Sequence, residues 1–130
     1  GSGWDGLGIY FNGDSSFSSN YTLLYMQGNG STVGYGTDNR INDGFANDAT
    51  TTSNTFASSE VYIPNYTSTT SKSISTDNVT ETNGTTILAN LIAARYATSS
   101  AITQMQIVLP YYGASFVQYS TFYLYGIKNQ

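Results

Sequence analysis

Eight carboxylates, Asp5, Asp14, Asp38, Asp43, Asp48, Glu60, Asp77 and Glu81, are the side chains of this sequence suited to acid–base or metal chemistry. Histidine and cysteine are both absent. Their absence removes the usual general base, the Ser-His-Asp triad, the thiolate nucleophile and most transition-metal sites. Two carboxylates flanking a glycosidic bond can still hydrolyse it. Glu60 alone falls within a clear strand pattern, and a single strand glutamate ordinarily belongs to a solvent face. Asp38, Asp43 and Asp48 recur along one polar stretch, where hard cations take carboxylate and carbonyl oxygens. Their spacing does not match the alternating ligand positions of a calcium loop, and no Glu closes it. The ordinary reading is an acidic, solvated loop. Gly28-Asn29-Gly30 lacks the lysine and the following helix of a phosphate loop, and reads as a turn. The expectation is a protein without catalytic residues, metal or cofactor.

Aromatic side chains offer different chemistry. The chain carries twelve tyrosines, six phenylalanines and one tryptophan. Exposed rings stack on sugars while neighbouring Asn and Asp side chains bond the hydroxyls. Trp4, Tyr10, Tyr35, Tyr62, Tyr111 and Tyr112 are the rings to consider, with Tyr35, Tyr111 and Tyr112 as the binding candidates. Against this stands the plainer reading that such tyrosines pack the sheet and lead only the hydroxyl to water. Asn-x-Ser/Thr triplets begin at Asn20, Asn29, Asn65, Asn78 and Asn83, and a composition this rich in Ser, Thr and Asn produces several by chance.

The elements that must hold these residues read as β throughout. Short apolar runs are separated by Gly, Asn, Ser and Thr, with no convincing helix. Leu7, Ile9 and Phe11 alternate, and Asn12-Gly13-Asp14 supplies a turn. Tyr21–Gln27 is the next strand. Residues 31–55 read as a long loop with at most one short strand. Phe56–Ile63 is a strand ended at Pro64. Lys72–Val79 is more polar and is expected near an edge. Residues 85–96 fit helical and strand spacing alike, and their β surroundings favour a buried strand. Ala101–Leu109 is a strand with Met105, Ile107 and Leu109 on one face. Tyr119–Ile127 is predicted as a closing strand, with Phe122 and Leu124 on one face and Tyr123 and Tyr125 on the other. Both faces being apolar, cover is expected from the core and from a neighbouring loop or subunit. Tyr123 and Tyr125 are thus the candidate subunit contacts. Seven to nine strands of this kind predict one all-β domain over residues 1–130, a two-sheet antiparallel sandwich of jelly-roll type.

Composition agrees. A chain of 130 residues with 39% hydrophobic residues is long enough to bury a core without disulfides or metal. Only 9% of residues are charged and the net charge is −4. Arg40, Lys72, Arg95 and Lys128 are the four cations, too few and too scattered to neutralise phosphates. Nucleic acid and anionic membranes are therefore not expected partners. The longest apolar stretch, Ile87–Ala94, is interrupted by Asn90 and is far shorter than a membrane-spanning helix requires.

The order of several segments resembles a family of phage virion structural proteins. These are WDGLGIYFNGD from Trp4, YTLLYMQGNGS from Tyr21, FASSEVYIPNY from Phe56, KSIS from Lys72, SAITQMQIVL, and FVQYSTFYLYGIK, closing on Leu-Tyr-Gly-Ile-Lys. The resemblance covers nearly the whole chain. It implies a non-enzymatic β-sandwich on the virion exterior, in a tail fibre or a head decoration, that docks on other virion subunits. A homo-oligomer, with the trimer favoured, and a host-surface glycan are the partners it suggests. It also implies a further strand upstream of Trp4, so that this chain is expected to be a piece of a longer protein, with one sheet short of a strand near residues 4–11. A carbohydrate-binding module of a secreted protein is the alternative.

Overall fold

The computed structural model describes residues 3–14, 19–39, 42–85, 87–110 and 115–128. Among them, eight strands follow in order: β1 (Trp4–Phe11), β2 (Tyr21–Gly28), β3 (Val33–Asp38), β4 (Asn42–Asn47), β5 (Ser58–Tyr62), β6 (Lys72–Glu81), β7 (Ile87–Tyr96) and β8 (Met105–Val108). Among the described residues there is no helix. All strand pairs are antiparallel, and they form two sheets, β4-β1-β8 and β3-β2-β7-β6-β5. The chain is a two-sheet sandwich in which the first strand pairs with the last and the second with the seventh, as in a jelly roll.

The pleat explains why these residues form these strands. β6 and β7 alternate buried and exposed without a break over ten residues each. Paired from Lys72↔Tyr96 to Glu81↔Ile87, they send Ile74, Leu88, Ile92, Ala94 and Tyr96 inward. β2 adds Tyr21 and Leu23, and the opposite sheet adds Ile9 and Phe11. The Phe11 ring packs 5.3 Å from Tyr96, which stacks on Tyr21 at 4.8 Å and 18°. Such aromatic contacts stabilise beyond the area they bury. Asn12 and Gly13 both take positive φ, 54° and 74°, and Asp14 N–H closes on the Phe11 carbonyl at 2.9 Å. This is the two-residue turn whose twist suits a hairpin.

Several expectations change. Residues 31–55 contain two strands, β3 and β4, because glycines at 34, 36 and 44 give a strand the look of a turn. Within residues 85–96 a strand does form, β7, but only one of its faces is buried. β6 does lie near an edge, one strand in from β5. Its polar appearance comes from Thr76, Asn78 and Thr80, which point into the sandwich and are each 1% exposed. β8 is confined to four residues. The segment 119–127 is not a strand. Residues 121–128 lie outside both sheets and are exposed throughout.

Candidate functional site

The outward pleat of the five-stranded sheet carries an apolar surface. Register places Tyr35, Met26 and Leu91 in one cross-strand row, Thr37, Leu24 and Ala93 in the next, and Val33, Gly28, Ala89 and Val79 in a third. Leu24, Met26, Val33, Tyr35, Val79 and Leu91 are each at least 40% exposed. A shallow depression of about 460 Å³ is floored by Gly28 and Ala89 and rimmed by Met26, Val33, Val79 and Leu91. Scattered surface leucines are ordinary, whereas a contiguous patch of this kind marks a contact surface. Tyr35 belongs to it and is 84% exposed. Asp77 and Glu60, paired across β6 and β5, continue its central row as a polar rim. Glu60 is thus a solvent-face residue.

The second apolar surface is the C-terminal segment. Ser120 N–H bonds the Val117 carbonyl at 3.2 Å, and Phe116 meets Phe122 edge-on at 4.9 Å. Tyr119 occupies this turn with φ of 75°, a region that a bulky side chain enters at a cost. Beyond the turn, Tyr123 and Tyr125 are 77% and 79% exposed. Their rings lie parallel, 6.3 Å apart and 16° from coplanar. Alternate residues sharing one side is strand geometry. Among the described residues, nothing covers either face of this segment.

A third feature lies between the sheets. A cleft of about 260 Å³ is walled by Leu23, Tyr25, Ile92 and Phe45, with Gln27, Asn90 and Asp38 as polar groups. Tyr25 and Gln27 lie over the side-chain-free Gly36 and Gly34 of β3. Aromatic rings beside amide and carboxylate groups are the chemistry that holds a sugar.

Of the predicted site residues, Tyr35 lies in the sheet-face patch, and Tyr123 and Tyr125 lie together in the C-terminal segment. Tyr111 and Tyr112 fall outside the described residues. So does the side chain of Asp43. The carboxylate of Asp48 accepts from Thr50 N–H and Thr50 Oγ1, both at 2.6 Å, which holds it below the usual carboxylate range. Among the described residues, no three acidic side chains gather at one point. Sequence reasoning missed the sheet-face patch apart from Tyr35. The signal was present in Leu24, Met26 and Leu91, which share an outward parity once the strands are paired. Comparison with protein-family models, curated proteins and solved structures finds no match to the chain.

Proposed function

We propose that this chain is a non-enzymatic structural module of a phage virion exterior, part of a tail fibre or capsid decoration, that mediates subunit assembly and attachment to the host surface. The observation that carries the reading is the pairing of two exposed apolar surfaces in one chain, the outward face around Met26, Tyr35 and Leu91 and the segment bearing Tyr123 and Tyr125. Surfaces of this composition are suited to being covered by other protein. The order of sequence segments set out above supplies the virion context. On this reading the partners are further copies of the chain and other virion subunits, with a host glycan as the attachment target. The test is to locate the chain on intact particles with an antibody against its exposed loops or by particle imaging. Exterior labelling in symmetric array is expected, and particles devoid of the chain overturn the proposal.

The cleft walled by Tyr25 and Phe45 favours a second reading, a carbohydrate-binding module. Glycan-array binding by the isolated chain, abolished by Asp38→Ala and accompanied by no association with particles, would establish it in place of the first.

A further inference from the structure

We infer that residues 121–128 of one copy add as a strand to the free edge of β3 in a second copy. The inference deepens the assembly half of the proposal above and rests on it only for the existence of self-association.

The donor is defined by what it lacks. Among the described residues, Thr121–Lys128 make no backbone hydrogen bond. Backbone N–H and C=O groups in a segment this apolar demand partners once water is displaced. The segment holds no proline and no charge before Lys128, and Phe, Tyr, Leu and Ile favour a pleated surface. The stacked Tyr123 and Tyr125 show that it already follows a strand's pleat.

The acceptor follows by elimination among four sheet edges. Proteins block open edges with short strands, bulges, prolines and charges. β8 has four residues and Pro110 two positions beyond. β4 has an irregular register against β1, and its Gly44 has φ of 117°. β5 carries Glu60 and is followed by Pro64. β3, with sequence VGYGTD, runs six residues in unbroken register with β2 and carries no device before Asp38. It is also the edge that the apolar face reaches, through Val33 and Tyr35, which are 81% and 84% exposed.

The pleats fit. When Tyr123, Tyr125 and Ile127 take the face of Val33 and Tyr35, Leu124 takes the face of Gly34 and Gly36, beside the Gln27 and Tyr25 side chains that cover those glycines. Aromatic and β-branched residues then oppose each other on the outer face, which are favourable cross-strand pairs. Half-burying four large side chains of ~150–250 Å² each removes roughly 300–500 Å² from the arm. With the edge losing a like area, each arm-on-edge contact buries about 600–1,000 Å², and two copies that exchange arms together bury about 1,200–2,000 Å², the size of a standard stable interface. Giving and receiving in turn closes a ring of identical copies.

The test uses the full chain in three forms, with sedimentation at tens of micromolar. The unaltered chain is expected to sediment as a closed oligomer. An arm variant, Tyr123→Asp with Tyr125→Asp, and an edge variant, Val33→Lys with Tyr35→Lys, are each expected to sediment as monomers, with at least tenfold weaker association and unchanged circular dichroism. Mixing the two variants restores one intact arm and one intact edge, so a two-copy species is expected only in the mixture. An edge variant that associates like the parent overturns the pairing with β3 while leaving self-association standing. Monomeric variants that fail to combine on mixing also overturn it. A monomeric parent overturns both the pairing and the homo-oligomer, but not the location on a virion, which particle labelling tests separately.

Discussion

The side-chain amide of Asn78 bonds both backbone groups of Phe45, in the opposite sheet. Phe45 N–H donates to Asn78 Oδ1 at 3.0 Å, and Asn78 Nδ2 donates to the Phe45 carbonyl at 3.0 Å. One side chain thereby imitates a strand's peptide group and ties β6 to β4 across the sandwich. Nδ2 also donates to Ser59 Oγ at 2.6 Å, and Asn90 Nδ2 donates to Asn78 Oδ1 at 3.1 Å. Because this amide lies inside the protein, the Asn78 triplet cannot serve as a glycosylation acceptor in the folded chain. Asn78→Ala strands several buried groups at ~1–3 kcal/mol each. We expect a stability loss of about 2–4 kcal/mol by urea unfolding.

Gly44 is the other half of this arrangement. A Cβ there would lie 2.5 Å from Asn78 Cγ, and the backbone has φ of 117°. Neither the clash nor the dihedral can relax without moving β4 away from β6. Gly44→Ala should cost at least ~2 kcal/mol. Its defect should be smaller in an Asn78→Gly background than in the parent, since the Asn78 Cγ and the Cβ, which a Gly44 Cβ would meet at 2.6 Å, are then both gone. A double-mutant cycle measures that coupling, and strict additivity would refute the contact.

Lys72 is 1% exposed, an uncommon fate for a lysine. Its Nζ donates to the carbonyls of Thr98 and Ser100, pinning the loop between β7 and β8 onto β6. Lys72→Met keeps the stem but leaves those carbonyls without a cationic donor. A loss of about 1–3 kcal/mol is expected, with faster amide exchange in residues 97–104 than elsewhere. Unchanged loop exchange would show that the ammonium does not hold the loop.

These residues also mark what the sequence could and could not disclose. The alternation of 87–96 is only half legible, because Ile, Leu and Ala occupy both faces: Leu88, Ile92 and Ala94 point inward, and Ile87, Ala89, Leu91 and Ala93 outward. The inward Lys72, Asn78 and Asn90 are not legible, since each is polar and buried only by virtue of partners far along the chain. β3 stayed hidden because its inner positions, Gly34 and Gly36, are filled by Gln27 and Tyr25 from β2; a Cβ on Gly36 would lie 2.7 Å from Tyr25 Oη. The segment 119–127 misled in the opposite direction. Its strand propensity is high, but propensity records a fit to neighbours, and the described residues supply none. For the candidate site, the exposed Tyr35, Tyr123 and Tyr125 were readable as rings. The patch around Met26 and Leu91 needed the register.

Asp5 is buried, and its Oδ1 accepts from Gly6 N–H at 2.7 Å. Burial pushes its carboxyl above the usual value, Asp48 nearby adds to the rise, and the Gly6 bond partly opposes it. The folded state therefore holds this proton to higher pH than the unfolded chain does. That contribution is fully present below the unfolded value near 3.8 and is lost as pH rises through the raised folded one. Asp48, held low, has the opposite sign and loses its contribution as pH falls. The comparison must therefore set Asp5→Asn against the parent. Asparagine retains an acceptor for Gly6 N–H and carries no charge. In thermal melts from pH 3 to 7, the variant's advantage in Tm should grow with pH, and a constant difference would refute this account.

At the alkaline end the stacked pair Tyr21 and Tyr96 governs. Tyr21 Oη donates to the Asp14 carbonyl at 2.8 Å and accepts Phe11 N–H at 3.2 Å. Burial, foremost, and the Asp14 carboxylate push both phenols above their ordinary value. Once pH passes about 10, the unfolded chain releases these two protons while the folded one keeps them. Stability must fall as pH rises there. Replacing both residues by Phe should lower stability at pH 7 by about 1–2 kcal/mol through lost hydrogen bonds, yet flatten the decline between pH 9 and 11. Absorbance titration of the phenolates gives an independent reading. In the parent, two tyrosines should ionise only as the protein unfolds, and in the double variant that late step should vanish.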